Sequence, residues 1–503
     1  MTFEFPELSA FSSAAARGNL VASVVSRVFD HETPVTLADR FVDEPDVFLL
    51  ESATAGPGSV ARFTFLGFGT LAELSMPVAD GRDATAALRD FMAPFKLAVA
   101  ESKRVVRGPD VAQLGGAIGW ITYDAVLGIE PTVGALPRRD LGVPVASWVV
   151  PRNFFVLDHL TRRLSLVRYT DLSKLSRNSS GAVAPAELSA LWHEERDSAA
   201  AIFARLDRPH VPPPLVTSDA PIDHAKFTAA MTEAEFLKIA DACLEDIRAG
   251  EIFQIQIGNR LSLATRARPF DIFRHLRSLN PSPYMFYVRR GEHVILGASP
   301  EIMVGVEGER IVQRPIAGTR RRSWQSERDR RMREELVTSE KERAEHVMLV
   351  DLARNDIGRV ATPGSVRVEE LMSVEEYSHV FHMVSQVSGQ RRSDVDPCTV
   401  LRASFPNGTV CGAPKIRAMQ LINQREKIAR EFYAGALGLA SFGGDLKSTI
   451  LIRSMHWKGG VVATQASAGI VYDSKPAEEW LETRNKMAAC LTAMQNTLPP
   501  AGS

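Results

Sequence analysis

Short runs of β-branched and aromatic residues recur through the first third of the chain, at 47–50, 61–66, 116–123, 148–156 and 163–169, and each suits one strand. One helix is expected among them, at about 83–97. Strands that follow one another without regular helices between them cannot be parallel crossovers. This part therefore reads as α+β with antiparallel pairing.

From about residue 232 the helical and strand periods alternate. A helix over 232–249 stops at Gly250, and strands are expected at 252–263, 284–289, 301–306 and 310–314. A charged helix runs from 326 toward 348 and another covers 414–430. Strands at 448–457 and 460–466 make a hairpin across Lys458-Gly459-Gly460, and the last helix opens at Pro476, where Glu478 and Glu479 complement its dipole. The polar run 176–181, a helix at 186–205 and the triple proline 212–214 mark a connector. The expected organisation is an N-terminal region over 1–170, a linker over 171–223 and a second domain over 224–495.

Composition narrows the function classes. In 503 residues, 45% are hydrophobic and 24% charged, which excludes a largely disordered chain. Lys plus Arg number 59 against 60 Asp plus Glu, so no bulk charge draws the protein to nucleic acid or anionic membrane. Four scattered cysteines form neither a zinc ribbon nor a disulfide scaffold, and a reducing, cytoplasmic setting is expected. The acidic start lacks the basic region of a signal peptide, and no apolar run reaches membrane-spanning length.

Two motifs mislead. Gly67-Phe-Gly69-Thr-Leu-Ala72 imitates a dinucleotide fingerprint, but Pro77 interrupts the helix that would hold a pyrophosphate. The arginines at 320–322, 328, 330, 331 and 333 surround Trp324, but interleaved Glu327, Asp329, Glu334 and Glu335 make an ion-paired helix the better reading than a nucleic-acid surface.

Three segments carry denser chemistry. Gly297-Ala-Ser-Pro-Glu301 with Gln313-Arg-Pro-Ile-Ala-Gly-Thr319 sets a carboxylate and a hydroxyl among small residues, as a tight loop near a ligand would. Glu345 through Arg359 punctuates an apolar run with Glu, His, Asp and Arg, which are costly to bury unless paired. Phe405 through Lys415 is a glycine-rich loop opening a helix. Further on come Arg453, the small-residue run Ala466 to Gly469, and Glu482, four residues before Lys486 at ion-pair spacing. Carboxylates dominate and clustered Cys and His are absent, so a bound metal would be Mg²⁺ on oxygen ligands.

Taken together, Gly-Ala-Ser-Pro-Glu, Pro-Ile-Ala-Gly-Thr-Arg, Leu-Val-Asp-Leu-Ala-Arg-Asn-Asp and Gly-Ala-Pro-Lys resemble the chorismate-utilising enzymes, a family that includes anthranilate, aminodeoxychorismate, isochorismate and salicylate synthases. The resemblance covers nearly the whole chain and is strongest over 227–491, within the second, catalytic domain. It implies an α+β fold of orthogonally packed antiparallel β-sheets flanked by helices. It also implies that Glu345 and Glu482 hold Mg²⁺ against the ring carboxylate of chorismate, and that Glu301 assists departure of the ring hydroxyl. His379 would move the proton that accompanies pyruvate loss, and Thr319 belongs to the catalytic set. Arg453, Gly469 and Ala468 would clamp the enolpyruvyl carboxylate, with Thr409 nearby.

Two positions separate the members. Aminodeoxychorismate synthases usually carry a nucleophilic lysine where this chain has Ala317, and isochorismate and salicylate synthases a water-activating lysine where it has Gln254. Both choices imply ammonia as nucleophile and anthranilate as product. No Gly-x-Cys-x-Gly-x-Gln segment occurs, so ammonia is expected from a separate glutamine amidotransferase subunit in a hetero-oligomer. Leu50-Glu51-Ser52 and Pro283-Tyr284-Met285 are similar to segments that bind inhibitory tryptophan. The chain departs from the family at Cys411, at Ser467 and at Lys447-Ser448-Thr449, all bordering the expected carboxylate pocket. The rival readings are aminodeoxychorismate synthase, a product stopped at aminodeoxyisochorismate, and a degenerate tryptophan- or chorismate-binding regulator.

Overall fold

The computed structural model describes residues 4–498 except 31, 53–61, 101–113, 177–182, 219 and 377–379; for Thr319 it describes the backbone alone. Among these residues one hydrogen-bonded network joins twenty-one strands. Its hub is the long strand Ala146–Asp158, which pairs with Phe63–Met76 along its length, with Gly116–Ile121 at one end and with Arg163–Asp171 at the other.

Two arms leave this hub. The first runs from Phe63–Met76 through Asp46–Glu51, Tyr284–Arg290, His293–Ser299, Ser454–Lys458 and Val461–Ile470 to Gln254–Ala264. The second runs from Gly116–Ile121 through Ala436–Ser441, Leu446–Ile450, Ile302–Glu307 and Arg310–Gln313 to Val380–Gln390. Each arm thus begins in N-terminal strands and continues in C-terminal ones. The architecture is the mixed helix and antiparallel sheet that the pattern predicts, and the strand Leu20–Val28 adds one parallel ladder with Leu97–Ala100.

Local chemistry sets the helices. Glu233–Arg248 begins with a reciprocal Thr232–Glu235 capping box and ends before Gly250. Pro476–Gln495 starts at proline and buries Met487, Leu491 and Met494, spaced i, i+4 and i+7, in the cluster that holds Phe273 and Leu276 of the neighbouring helix Pro269–Leu279. Each such side chain contributes about 1.5–3 kcal/mol on burial.

Two expectations are corrected and two are met. The charged helix from 326 is two, Ser326–Thr338 and Glu340–Gly358, because Ser339 accepts a hydrogen bond from the Glu342 N–H and caps a new start. The strand at 448–457 is also two, Leu446–Ile450 and Ser454–Lys458, because the chain passes from one arm to the other between them. The hairpin turn forms as expected, with Gly459 and Gly460 both at positive φ. The Gly67-to-Ala72 motif lies wholly inside the strand Phe63–Met76, with no helix to receive a phosphate.

Candidate active site

Among the strands named above that follow residue 254, the chain changes arms twice, at Pro300-Glu301 and at Leu451-Ile452-Arg453. Each crossover presents one charged residue, and backbone bonds tie the two crossovers together. The Ala298 N–H donates to the Arg453 carbonyl, while the Ile450 N–H and the Thr449 hydroxyl both donate to the Glu301 carbonyl. Thr449, one of the departures from the family pattern, therefore serves this junction.

Glu301 is 5% exposed. Burial pushes its carboxyl up to about 8, against the opposing pull of hydrogen bonding with the Thr409 side chain and the Ile316 backbone. Its Oε1 has no hydrogen-bond partner among the described residues. A buried carboxyl that stays protonated near neutrality, with a polar atom still unbonded, is suited to donate a proton to a bound ligand. Thr409 is fixed in turn by Asn407, whose Oδ1 accepts from both its N–H and its hydroxyl.

Arg453 holds a left-handed backbone conformation, φ 49°, at the second crossover. No described residue gives its guanidinium a hydrogen bond or an ion pair; burial, its largest influence, lowers its pKa, and Tyr433 and Glu482 lie within its electrostatic reach. A part-buried guanidinium fork without a hydrogen-bonded counter-ion among the described residues is a carboxylate-binding group.

Beside it the strand Val461–Ile470 runs antiparallel to Gln254–Ala264, with Ala468 opposite Ile257 and Gly469 opposite Gln256. Gly469 is glycine for want of space: a Cβ there would stand 2.8 Å from Gln256 Nε2 and 2.9 Å from Gln254 Nε2. Ser467 stands where the family usually has glycine. Its hydroxyl lies 2.7 Å from the Tyr433 hydroxyl and donates to Gln256 Oε1 at 2.9 Å.

The two helices Glu340–Gly358 and Pro476–Gln495 carry the expected metal carboxylates. Burial, and the neighbouring charges of Glu342 and Glu482, raise the Glu345 carboxyl, with Lys341 opposing. For Glu482, burial pushes upward, but Lys486 at 2.5 Å together with Glu479 and Arg453 pulls the other way and the net shift is down. Two further acids, Glu342 and Glu479, lie three residues before these on the same helix faces. Burial pushes Glu479 up to about 7 despite a hydrogen bond from Ser474, and its buried Oε2 receives no hydrogen bond from an N–H or hydroxyl among the described residues.

This mutually repelling set of hard oxygens fits a divalent cation such as Mg²⁺. Among the described residues no three His, Cys, Asp or Glu side chains converge closely enough to form a complete shell. Mg²⁺ ordinarily keeps several water or substrate oxygens, so a partial protein shell suits it.

His379 lies outside the described residues. The histidine placed at the site is His382, on the strand Val380–Gln390 opposite Thr319 of Ile316–Arg321. Burial depresses its pKa to about 4, and Arg453 also lowers it. Its Nδ1 lies 3.2 Å from the Gly318 carbonyl, which can only accept, so Nδ1 carries the proton and Nε2 keeps its lone pair. Ala317 occupies the same strand and offers no nucleophile.

The two segments assigned to an inhibitor are neighbouring strands: Met285 stands opposite Glu51 and Phe286 opposite Leu50, with Pro283 and Tyr284 at the strand start and Ser52 just beyond Glu51. Glu51 is gripped by Arg277 through two hydrogen bonds of 2.9 and 3.0 Å. The arginine-rich segment is ion-paired as expected, Arg330 with Glu327 and Glu334, and Arg322 and Arg333 with Glu376.

Known proteins share this arrangement. A family model described as chorismate binding enzyme matches residues 48–492. Anthranilate synthase component 1 of Streptomyces coelicolor is 39% identical over 507 residues, covering 97% of this chain and 92% of that protein. Its counterpart from Geobacillus stearothermophilus is 38% identical over 466 residues, covering 90% and 89%. Among solved structures, anthranilate synthase component I from Streptococcus pneumoniae TIGR4 superposes with a TM-score of 0.71 at 31% identity, covering 87% of this chain and 95% of that one. The menaquinone-specific isochorismate synthase of Escherichia coli shares the fold alone, with a TM-score of 0.70 at 18% identity. With a family match of that extent and relatives this similar along most of their length, the chain belongs to the chorismate-binding enzymes.

Proposed function

We propose that the protein is the large subunit of an anthranilate synthase, converting chorismate and ammonia to anthranilate and pyruvate. The observation that carries this reading is the fully buried Glu301, protonated near neutrality, at a crossover joined by hydrogen bonds to that of the unpaired Arg453. The relatives named anthranilate synthase component 1 support the choice of reaction.

Arg453 and the face of Gly469 receive the enolpyruvyl carboxylate. Glu301 gives its proton to the departing C4 hydroxyl, which leaves as water while ammonia bonds to C2 and the ring double bonds shift. The Nε2 lone pair of His382 then takes the C2 proton. The C3–O bond breaks, the ring aromatises, and the released enolpyruvate takes a proton on carbon to become pyruvate. Glu345 and Glu482 would hold Mg²⁺, which supplies positive charge for the ring carboxylate of the substrate. Gln254 is a neutral amide and a poor base for water, and Ala317 provides no amine, so ammonia has no rival nucleophile from the chain.

The same reading includes a separate glutamine amidotransferase subunit as the ammonia source and tryptophan as a feedback inhibitor beside Glu51 and Tyr284. It places the enzyme in the cytoplasm; all four cysteines are free and buried, and no helix of the described residues is long and apolar enough to cross a membrane. Purified protein with chorismate, Mg²⁺ and excess ammonium salt should form fluorescent anthranilate, lose that activity with EDTA and slow with tryptophan. A 4-amino product, or turnover indifferent to EDTA, would contradict it.

A further inference from the structure

The Gln256 carboxamide is anchored from behind. Ser467 has one hydroxyl proton, and it is given to Gln256 Oε1 at 2.9 Å. The Tyr433 hydroxyl, 2.7 Å from Ser467 Oγ, must then be the donor in that contact. A relay from Tyr433 through Ser467 thus occupies the amide carbonyl and turns the amide nitrogen to the other side. There Nε2 stands 2.8 Å from the point where a Cβ of residue 469 would lie, beside Gln254 Nε2 at 2.9 Å.

Neither nitrogen donates a hydrogen bond to a described residue, and both side chains are nearly buried, at 7% for Gln254 and 8% for Gln256. The main chain of Gln256 is equally fixed: its N–H donates to the Cys411 carbonyl, and its carbonyl accepts from the fully buried Arg430. Tyr433, at the head of the relay, lies within electrostatic reach of the unpaired Arg453, as does Glu482.

We propose that Gln256 is a substrate-binding residue, an amide donor to the carboxylate received at Gly469, and that Ser467 positions it. Two amide nitrogens and a guanidinium offer only donors, and the ligand class that answers with only acceptors is a small acid's carboxylate. The serine in place of glycine then anchors the amide, its hydroxyl bonded to the carboxamide oxygen while the nitrogen faces the anion. Naming chorismate as that acid rests on the proposed function.

The test is a titration of chorismate into the Mg²⁺-loaded protein without ammonia, read by calorimetry, together with steady-state kinetics and a melting curve for each variant. Gln256→Met keeps the volume and removes the donor; Ser467→Ala removes only the hydroxyl. Losing a hydrogen bond to a charged group should weaken chorismate about tenfold in Gln256→Met, and less in Ser467→Ala. The double variant should be no weaker than Gln256→Met, because Ser467 acts through Gln256. The rise should fall on KM rather than kcat.

Unchanged chorismate affinity in Gln256→Met, or losses that multiply in the double variant, would overturn the proposal. Affinity that depends on Gln256 in a protein forming no anthranilate would support this inference while overturning the reaction.

Discussion

Glu301 shows how one residue's burial sets both chemistry and stability. Its carboxyl titrates from an ordinary value of 4.5 in the unfolded chain to about 8 in the fold. Below pH 4.5 it is neutral in both states and burial costs nothing. As pH rises from 4.5 toward 8 the unfolded chain ionises while the folded one does not, so stability is lost across that window. Glu301→Gln should therefore be more stable than the parent, by an amount on the order of a few kcal/mol near pH 8 that vanishes near pH 4.5. Melting curves across this range check it; equal stability of the two proteins at pH 8 would mean that the carboxyl is not buried in its charged-disfavouring site. In the parent, glutamine- or ammonia-dependent kcat/KM should fall above about pH 8 as the acid ionises, once corrected for the rising fraction of free ammonia.

Glu301 and Arg453, which the fold brings to its two crossovers, were legible at this scale because residue type alone singles them out. Tyr377-Ser-His379-Val-Phe-His382 offers two histidines, and His379 lies outside the described residues. For His382 the register adds what the sequence lacks: Phe381 and Met383 pack with Leu336, while His382, opposite Thr319, has Arg453 among its electrostatic neighbours. Glu342 and Glu479 were missed although the signal was present, since a carboxylate three positions before each expected ligand falls on the same helix face.

At the level of elements, the site depends on close approach between two strands. A Cβ at Gly469 would meet Gln254 Nε2 and Gln256 Nε2 inside 3 Å, and both amides are side-chain ends that can yield only by leaving their positions. Gly469→Ala should raise KM for chorismate by about tenfold or more while leaving the melting temperature within a few degrees, because the flexible amides rather than the backbone give way. Unaltered KM would show that substrate does not use this face. The helix break at Ser339 could have been read from Ser339-Glu-Lys-Glu342, a serine followed three residues later by glutamate. The strand break at Arg453 could not: Leu451 and Ile452 continue the apolar pattern, and no glycine or proline marks the place where the chain leaves one arm for the other.

On the scale of the molecule, N-terminal strands pair directly with C-terminal ones in each arm, so the proposed inhibitor segments and the site share a sheet. Tyr284 stands opposite Ser299, two residues from Glu301, and the strand between them, His293–Ser299, donates from Ala298 to the Arg453 carbonyl. If tryptophan binds beside Glu51 and Tyr284, its effect on chorismate must be reciprocal: whatever factor it takes from chorismate affinity, chorismate takes from tryptophan affinity. Titrating each ligand in the presence of the other measures that factor, and a factor of one would show that tryptophan bound there is not coupled to the chorismate site. This pairing of distant strands is beyond the reach of local pattern, which sees each strand's period but not its partner.

The two-step assignment of the crossover residues is tested most directly by a quenched time course with chorismate, Mg²⁺ and ammonium salt, resolving the non-aromatic amino intermediate from anthranilate by mass. The parent should yield anthranilate and pyruvate in equal amounts. Glu301→Gln should form neither the intermediate nor anthranilate at more than a small fraction of the parent rate, and His382→Ala should accumulate the intermediate. Parent-like anthranilate formation by both variants, or no aminated product from the parent itself, would contradict the assignment.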